Sequence, residues 1–191
     1  MKEGRQLTEN RIERLTAENF GSTSLDGFVR TQPVTEVWRR TQHGYCLVLA
    51  SFIDDWSPER RREIAKEILS PGHTAYGVFR EGRVAGFLLL HDVLNEGRMI
   101  VEYLHVSREF RRQGIGRALF QRALAEGAGR GARQLYLSAC SARETVAFYR
   151  AMGCVPADPV IREIADKEPC DVQLTCAILP AAQSAAHARR R

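Results

Sequence analysis

The chain has 191 residues, 44% hydrophobic and 27% charged, with a formal net charge of +5, a balance that supports one folded domain with a sizeable core. No apolar run approaches the ~20 residues of a membrane span, and no signal-peptide core follows the amino end. Five scattered cysteines without Cys-x-x-Cys spacing read as reduced, cytoplasmic thiols rather than a disulfide framework or metal-ligand set.

Residues 1–10 are polar and expected to fray. Ile12–Leu15 reads as a short strand, and Thr16-Ala17-Glu18-Asn19 offers a helix start towards Val29, interrupted by Gly21 and Ser22-Thr23-Ser24. Val34–Arg40 and Tyr45–Ser51 look extended, with a hairpin turn at Thr41-Gln42-His43-Gly44. Ser57 then caps a helix with Pro58 at its first position and a buried stripe of Ile64, Ala65, Ile68 and Leu69. Ser70-Pro71-Gly72 ends that helix. Thr74–Arg80 and Arg83–His91 are strands joined tightly through Glu81-Gly82, and Asn95-Glu96-Gly97 turns the chain into Met99–Val106.

The stretch Val101–Ala118 carries the most chemistry. A strand-like run ends at Val106, and an amphipathic helix begins at Ile115 with Ala118, Leu119 and Ala123 at helical spacing. Between them stand Arg108, Arg111, Arg112, Gly114 and Gly116, with Arg117 following. A helix N-terminus presents unpaired N–H groups and partial positive charge. Glycines let an anion approach that backbone, and arginines add charge-assisted bonds. The stretch reads as a diphosphate cradle. It lacks the Gly-Lys-Ser/Thr of a Walker A loop, and Leu119 stands where a Rossmann fingerprint needs a third small residue.

Beyond the cradle, Gly127, Gly129 and Gly131 punctuate the helix end, and Gln134–Ala139 is a strand. Arg143–Met152 is a helix with Thr145, Phe148, Tyr149 and Met152 on one face and Gly153 at its end. Pro159–Glu168 is weakly helical, Asp171–Leu179 alternates as a final strand, and residues 180–191 form a low-complexity basic tail. The whole predicts an α+β domain over residues 11–179, a mostly antiparallel twisted sheet flanked by helices, with an extra N-terminal β-hairpin.

Two segments carry a resemblance. Arg111-Arg112-Gln113-Gly114-Ile115-Gly116, after Leu104-His105-Val106, resembles the Arg/Gln-x-x-Gly-x-Gly/Ala signature of the GNAT superfamily of acetyl-CoA-dependent N-acetyltransferases. Phe148-Tyr149-Arg150-Ala151-Met152-Gly153-Cys154 resembles that family's Phe-Tyr-x-x-x-Gly-Phe, with Cys for the last Phe. The resemblance implies acetyl-CoA as cosubstrate, held by Leu104, His105, Val106, Arg111, Arg112, Gln113, Gly114, Ile115, Gly116, Arg117, Ala118, Ser141 and Tyr149. It implies a strand bulge that frees the Val106 N–H for the thioester. Where the family often has Asn to contact the pantetheine arm, this chain has Ala142, with Ser141 or Arg143 as substitutes.

The reaction sets its own requirements. An attacking amine must be neutral, the developing oxyanion stabilised, and the thiolate supplied with a proton. The resemblance puts Tyr149 where the family often has its general acid; the plainer reading is a core aromatic. Glu102 shares a strand with Val106 at even spacing and is the candidate base, its pKa raised if it is buried; alternatively it is a solvated or salt-bridged carboxylate. Alternation turns His105 away from Glu102, which leaves it to sheet packing. Asp54, Asp55 and Trp56 suit a cationic acceptor, since carboxylates attract an ammonium and an indole can hold it; alternatively they only start a helix. Cys140 allows a ping-pong thiol, against the commoner small buried cysteine.

The resulting expectation is direct acetyl transfer to a primary amine of a small molecule or peptide, in the cytoplasm, with no membrane partner and room for a homodimer. A CoA-binding regulatory module without a productive base is the second reading. A nucleic-acid binder driven by the arginines is the third, weakened because three of the positive charges are Arg189–Arg191 at the tail.

Overall fold

The computed structural model describes residues 10–42 and 44–179; the tail 180–191 and all of the expected frayed start but Asn10 lie outside them. Seven strands form the central sheet: β1 (Glu13–Arg14), β4 (His73–Arg80), β5 (Arg83–His91), β6 (Arg98–Val106), β7 (Gln134–Ala139), β9 (Val172–Ala177) and β8 (Val155–Pro156), in that spatial order. Every pairing is antiparallel except β6 with β7. β2 (Gln32–Thr41) and β3 (Gly44–Asp54) make the separate hairpin read from the sequence.

Three helices dominate the packing. Ser57 caps α1 (Pro58–Ile68) by accepting the Arg60 N–H, and Ile64, Ala65 and Ile68 bury against Ala75, Phe87 and Leu89 on one sheet face. On the other face α2 (Ile115–Gly129) and α3 (Arg143–Ala151) bury Ile115, Leu119, Phe120, Val146 and Tyr149 against Leu88, Met99 and Leu174. Burial of such apolar side chains contributes roughly 1.5–3 kcal/mol each.

Three expectations shift. The helix sketched over Thr16–Val29 is a succession of turns, in which Asn19 Oδ1 accepts the Thr16 N–H and Ser24 Oγ accepts the Gly21 N–H. Side-chain acceptors compete with helical bonding there, while Phe20, Leu25 and Phe28 still reach the α1 core. Pro159–Glu168 contains only one helical turn, α4 (Arg162–Ala165). Asn10 is tied down: its amide donates to the Gln113 carbonyl and its Oδ1 accepts Arg80.

The feature that positions the site is where β6 and β7 part. Their parallel pairing runs only from Arg98↔Gln134 to Val101↔Leu137. β6 continues to Val106 beside β5, while β7 stays with β9, so the strands splay apart beyond Val101.

Candidate active site

A bulge at Glu102 sets the faces of the splayed strand. Leu89 pairs with Tyr103 and Leu90 with Val101, leaving Glu102 as the extra residue. The extra residue breaks the two-residue alternation. Val101 and Leu104 join the α2 core, whereas Glu102, Tyr103 and His105 all reach the α1 face. The face assignment from simple alternation therefore reverses: Glu102 shares a face with His105 and not with Val106.

Past the bulge, the Ser107 N–H donates to the Ala85 carbonyl at 2.8 Å, so these two residues face each other across β5 and β6. Antiparallel alternation then turns the N–H groups of Val106 and Leu104 away from β5, into the gap that β7 has left. Val106 is freed by the splay, since the bulge lies four residues earlier in the strand.

At the end of β6 a 3₁₀ turn (Arg108–Phe110) leads to the cradle. Arg112 (φ 64°) and Gly114 (φ 81°) both adopt left-handed backbone, a pattern that gathers N–H groups into a concavity. Gly114 is the N-cap of α2, with no side-chain cap and no acidic residue in the first turn. The helix start is thus open to an anion. A Cβ on Gly114 would meet only the Asn10 amide, and one on Gly116 would meet Phe148 and Val106, all at ordinary contact distances of 3.4 Å or more. Gly114 is required by its left-handed backbone rather than by space.

The arginines divide by role. Arg112 and Arg117 are exposed and make no hydrogen bond or ion pair among the described residues, so their charge is available at the cradle. Arg111 is committed elsewhere. Its guanidinium donates to the carbonyls of Val106 (3.1 Å), Thr31 (3.1 Å) and Arg30 (2.8 Å), pinning the N-terminal segment to the end of β6. Gln113 is exposed and held locally, its amide donating to the Glu109 carbonyl at 3.3 Å. Ser141 is buried, its hydroxyl accepting Arg39 at 2.7 Å and its carbonyl accepting the Trp38 N–H at 2.8 Å. It therefore anchors the hairpin rather than offering a hydroxyl to the gap.

On the α2 side of the gap, Tyr149 is buried beside Phe120 and Phe148, and its hydroxyl has no partner among the described residues. Burial, reinforced by Cys154, drives its pKa far up, so the hydroxyl stays protonated and able to donate. Cys140 is also pushed up by burial, and its thiol points at Asp54 Oδ2. That protonated state disfavours a thiol nucleophile.

The opposite side of the gap is acidic and aromatic. Asp54 pairs with the buried Arg30 at 2.5 Å, and Arg30 lies over the Trp56 ring at 5.7 Å. Trp56 meets His105 edge-on at 4.6 Å and Tyr103 at 6.4 Å. Asp55 points away, accepting Thr31 (2.8 Å) and the Trp56 N–H (2.8 Å) as a local turn. His105 is held neutral, its pKa pushed well down by burial and then by Arg30 and Arg111.

Glu102 does not behave as a raised base. It bonds His91 Nε2 at 2.8 Å, and that partner holds its carboxyl below the usual range against the opposing effect of burial. Two residues had no sequence signal. Arg30 and Asp171 belong to no motif, and only the folded chain brings them to the gap.

These features agree with one family. The profile of the acetyltransferase (GNAT) family matches residues 34–154. The chain belongs to that family. It is an acyl-CoA-dependent N-acetyltransferase with acetyl-CoA as cosubstrate. Its fold is similar to that of a nourseothricin acetyltransferase, at 18% identity and TM-score 0.67 over 88% of this chain and 98% of that one. A streptothricin acetyltransferase from Bacillus anthracis, in complex with acetyl coenzyme A, is similar at 14% identity and TM-score 0.67, covering 87% and 97%. The ribosomal-protein-S18-alanine N-acetyltransferase of Escherichia coli is similar at 17% identity and TM-score 0.59, covering 91% and 96%. No curated protein matches the chain. Among the described residues no helix is long and apolar enough to cross a membrane.

Proposed function

We propose that this member of the GNAT family acetylates the primary amine of a cationic small molecule, by direct attack in a ternary complex. The observation that carries this reading is the gap between β6 and β7. It has an open helix N-terminus and a protonated tyrosine on one side, and carboxylates with aromatic rings on the other. The diphosphate fits the cradle of Arg112, Gly114, Ile115, Gly116 and Arg117, and the Leu104 and Val106 N–H groups hold the arm and carbonyl in the gap. Bound there, acetyl-CoA supplies an activated acetyl group as a thioester.

The chain's own residues do the rest. The Val106 N–H polarises the acetyl oxygen, and Tyr149 holds a proton for the departing sulfur. Asp54, held by Arg30, and Glu102, held by His91, put carboxylates on the acceptor side, and Trp56 and Tyr103 line it with aromatic rings, a combination that suits an ammonium. The two antibiotic acetyltransferases of similar fold span nearly their whole lengths here, which makes streptothricin-type amines the first acceptors to try. Five free cysteines suit a cytoplasmic setting. Exposed Val48, Leu49, Phe52 and Ile53 along the hairpin support a homodimer.

A nucleic-acid role is less well supported, because Arg30 and Arg111 are turned inward and Arg143 is paired with Glu36. The test is release of free thiol from acetyl-CoA with nourseothricin, spermidine and an alanine-ended peptide, each product checked by mass. Acetylated nourseothricin or spermidine is expected. Tight CoA binding without turnover of any of the three would favour the regulatory reading instead.

A further inference from the structure

The acceptor side of the gap holds a third carboxylate, which no motif marks. Asp171 sits one residue before β9, whose register sets Ser138 against Gln173 and Ala139 against Val172. Tyr136, Ser138 and Gln173 face away from α2, and a chain of hydrogen bonds runs through them. The Ile161 N–H donates to Tyr136 Oη (3.0 Å), and Tyr136 donates to Gln173 Oε1 (2.8 Å). Gln173 Nε2 donates to Ser138 Oγ (2.7 Å), and Ser138 reaches Asp171 Oδ2 (3.3 Å).

The direction of this chain is fixed from its buried end. The Ile161 N–H can only donate, so the Tyr136 hydrogen goes to the Gln173 carbonyl and the Gln173 amide hydrogen goes to Ser138. The Ser138 hydroxyl must then donate to Asp171. A donor aimed at one carboxylate oxygen orients the group and leaves the other oxygen for a second partner.

Asp171 also opens onto space. With Arg39, Tyr45, Val160, Asp166 and Gln173 it lines a pocket of about 410 Å³ between the hairpin and the 160–173 segment. Its charge also acts on Tyr149, Cys140 and Asp54, the groups that border the gap. The carboxylate thus stands between an entrance and the place where the acetyl group must be transferred.

We propose that Asp171 is the general base that deprotonates the attacking amine, that Ser138 positions it, and that this pocket admits the acceptor. The proposal rests on the acetyl-transfer reading above. The acceptor nitrogen carries three hydrogens as an ammonium and one as the amide, so two protons leave it. Asp171 takes the first and passes it to water, freeing the lone pair that forms the N–C bond. As the C–S bond breaks, Tyr149 gives its proton to sulfur and is reprotonated from the second N–H.

The environment suits that role. Burial and Glu168 push the Asp171 carboxyl up to about 6, against the Ser138 bond, while Asp54 adds to the rise and Arg39 opposes it. Arg40, Tyr45, Arg162, Asp166 and Cys170 face the same pocket. A base poised near neutrality is ionised at working pH and still able to accept a proton. Glu102, across the gap, is already paired with His91.

The test compares wild type, Asp171→Asn and Ser138→Ala for acetyl-CoA binding and for kcat/KM against pH, with nourseothricin and spermidine as acceptors. Asp171→Asn is expected to bind acetyl-CoA normally and lose about 10²–10⁴-fold in kcat. Ser138→Ala keeps the carboxylate but loses the donor, so its acid limb should move to higher pH; this variant decides the matter where the Asn variant does not fold. An Asp171→Asn enzyme within threefold of wild type, or an acid limb unmoved in Ser138→Ala, overturns the proposal alone. A wild type that binds acetyl-CoA and acetylates neither amine overturns the functional reading, and this one with it.

Discussion

Tyr149→Phe separates catalysis from folding unusually well here. The ring packs between Phe120 and Phe148, with centroids 6.0 and 5.1 Å away, and the substitution keeps it. The hydroxyl makes no hydrogen bond among the described residues, so its loss removes no native bond. Stability should therefore change by less than about 0.5 kcal/mol, well under the cost of a hydrogen bond with a stranded buried partner. Loss of a general acid, by contrast, costs about 10²–10⁴-fold in rate, or about 3–5 kcal/mol of barrier. Thermal melting measures the first quantity. Thiol release under single-turnover conditions, where product departure cannot mask chemistry, measures the second. A wild-type single-turnover rate in the Phe variant would refute the proton-donor role and leave Tyr149 as a packing residue.

Other perturbations follow from the same contacts. Asp54→Asn strips the partner from Arg30, whose side chain is 7% exposed; urea titration should show a loss of about 2–4 kcal/mol, with a rise in acceptor KM. Arg111→Lys gathers its donors on one nitrogen, where the guanidinium fork reaches three carbonyls from three nitrogens, and should cost about 2–4 kcal/mol in the same assay, while CoA affinity falls less than with Arg112→Ala plus Arg117→Ala. Stability against pH should differ in sign at two carboxylates. Asp171 is raised from 3.8 to about 6, so the native state gains up to about 3 kcal/mol as pH falls through that window, a gain absent in Asp171→Asn. Glu102 is lowered from 4.5, so its contribution is present above that pH and lost as pH falls below it; Glu102→Gln should flatten that acid-side loss.

Most of the fold could be read from local signals. Ser57-Pro58 announced α1, Glu81-Gly82 the β4–β5 turn, and Gly114 with the apolar spacing from Ile115 announced α2. The cradle was legible for the same reason, since its chemistry is contained in a short run of backbone. What escaped was set by distant partners. The bulge at Glu102 lies in the pairing of β6 with β5, between the partners of Leu89 and Leu90, and it reverses the faces that simple alternation assigns. Arg111 has the residue type of a phosphate ligand, yet carbonyls some 80 positions earlier in the chain claim it. Ser141 is claimed by Arg39 from the hairpin, and Asp171 gains its place only through the register of β7 with β9.

Ligand-induced thermal stabilisation checks whether the open start of α2 and the gap beside it hold acetyl-CoA. At a CoA concentration about 100-fold above Kd the native state should gain about 2.7 kcal/mol, a rise of roughly 5–10 °C in Tm for a chain of this size. Gly114→Val forces a β-branched residue to φ 81° in the cradle, so its own baseline will fall, but the CoA-dependent rise should also disappear. A wild-type melting curve unmoved by saturating CoA, or a Gly114→Val protein that keeps the full rise, would mean that this cradle does not hold the cosubstrate.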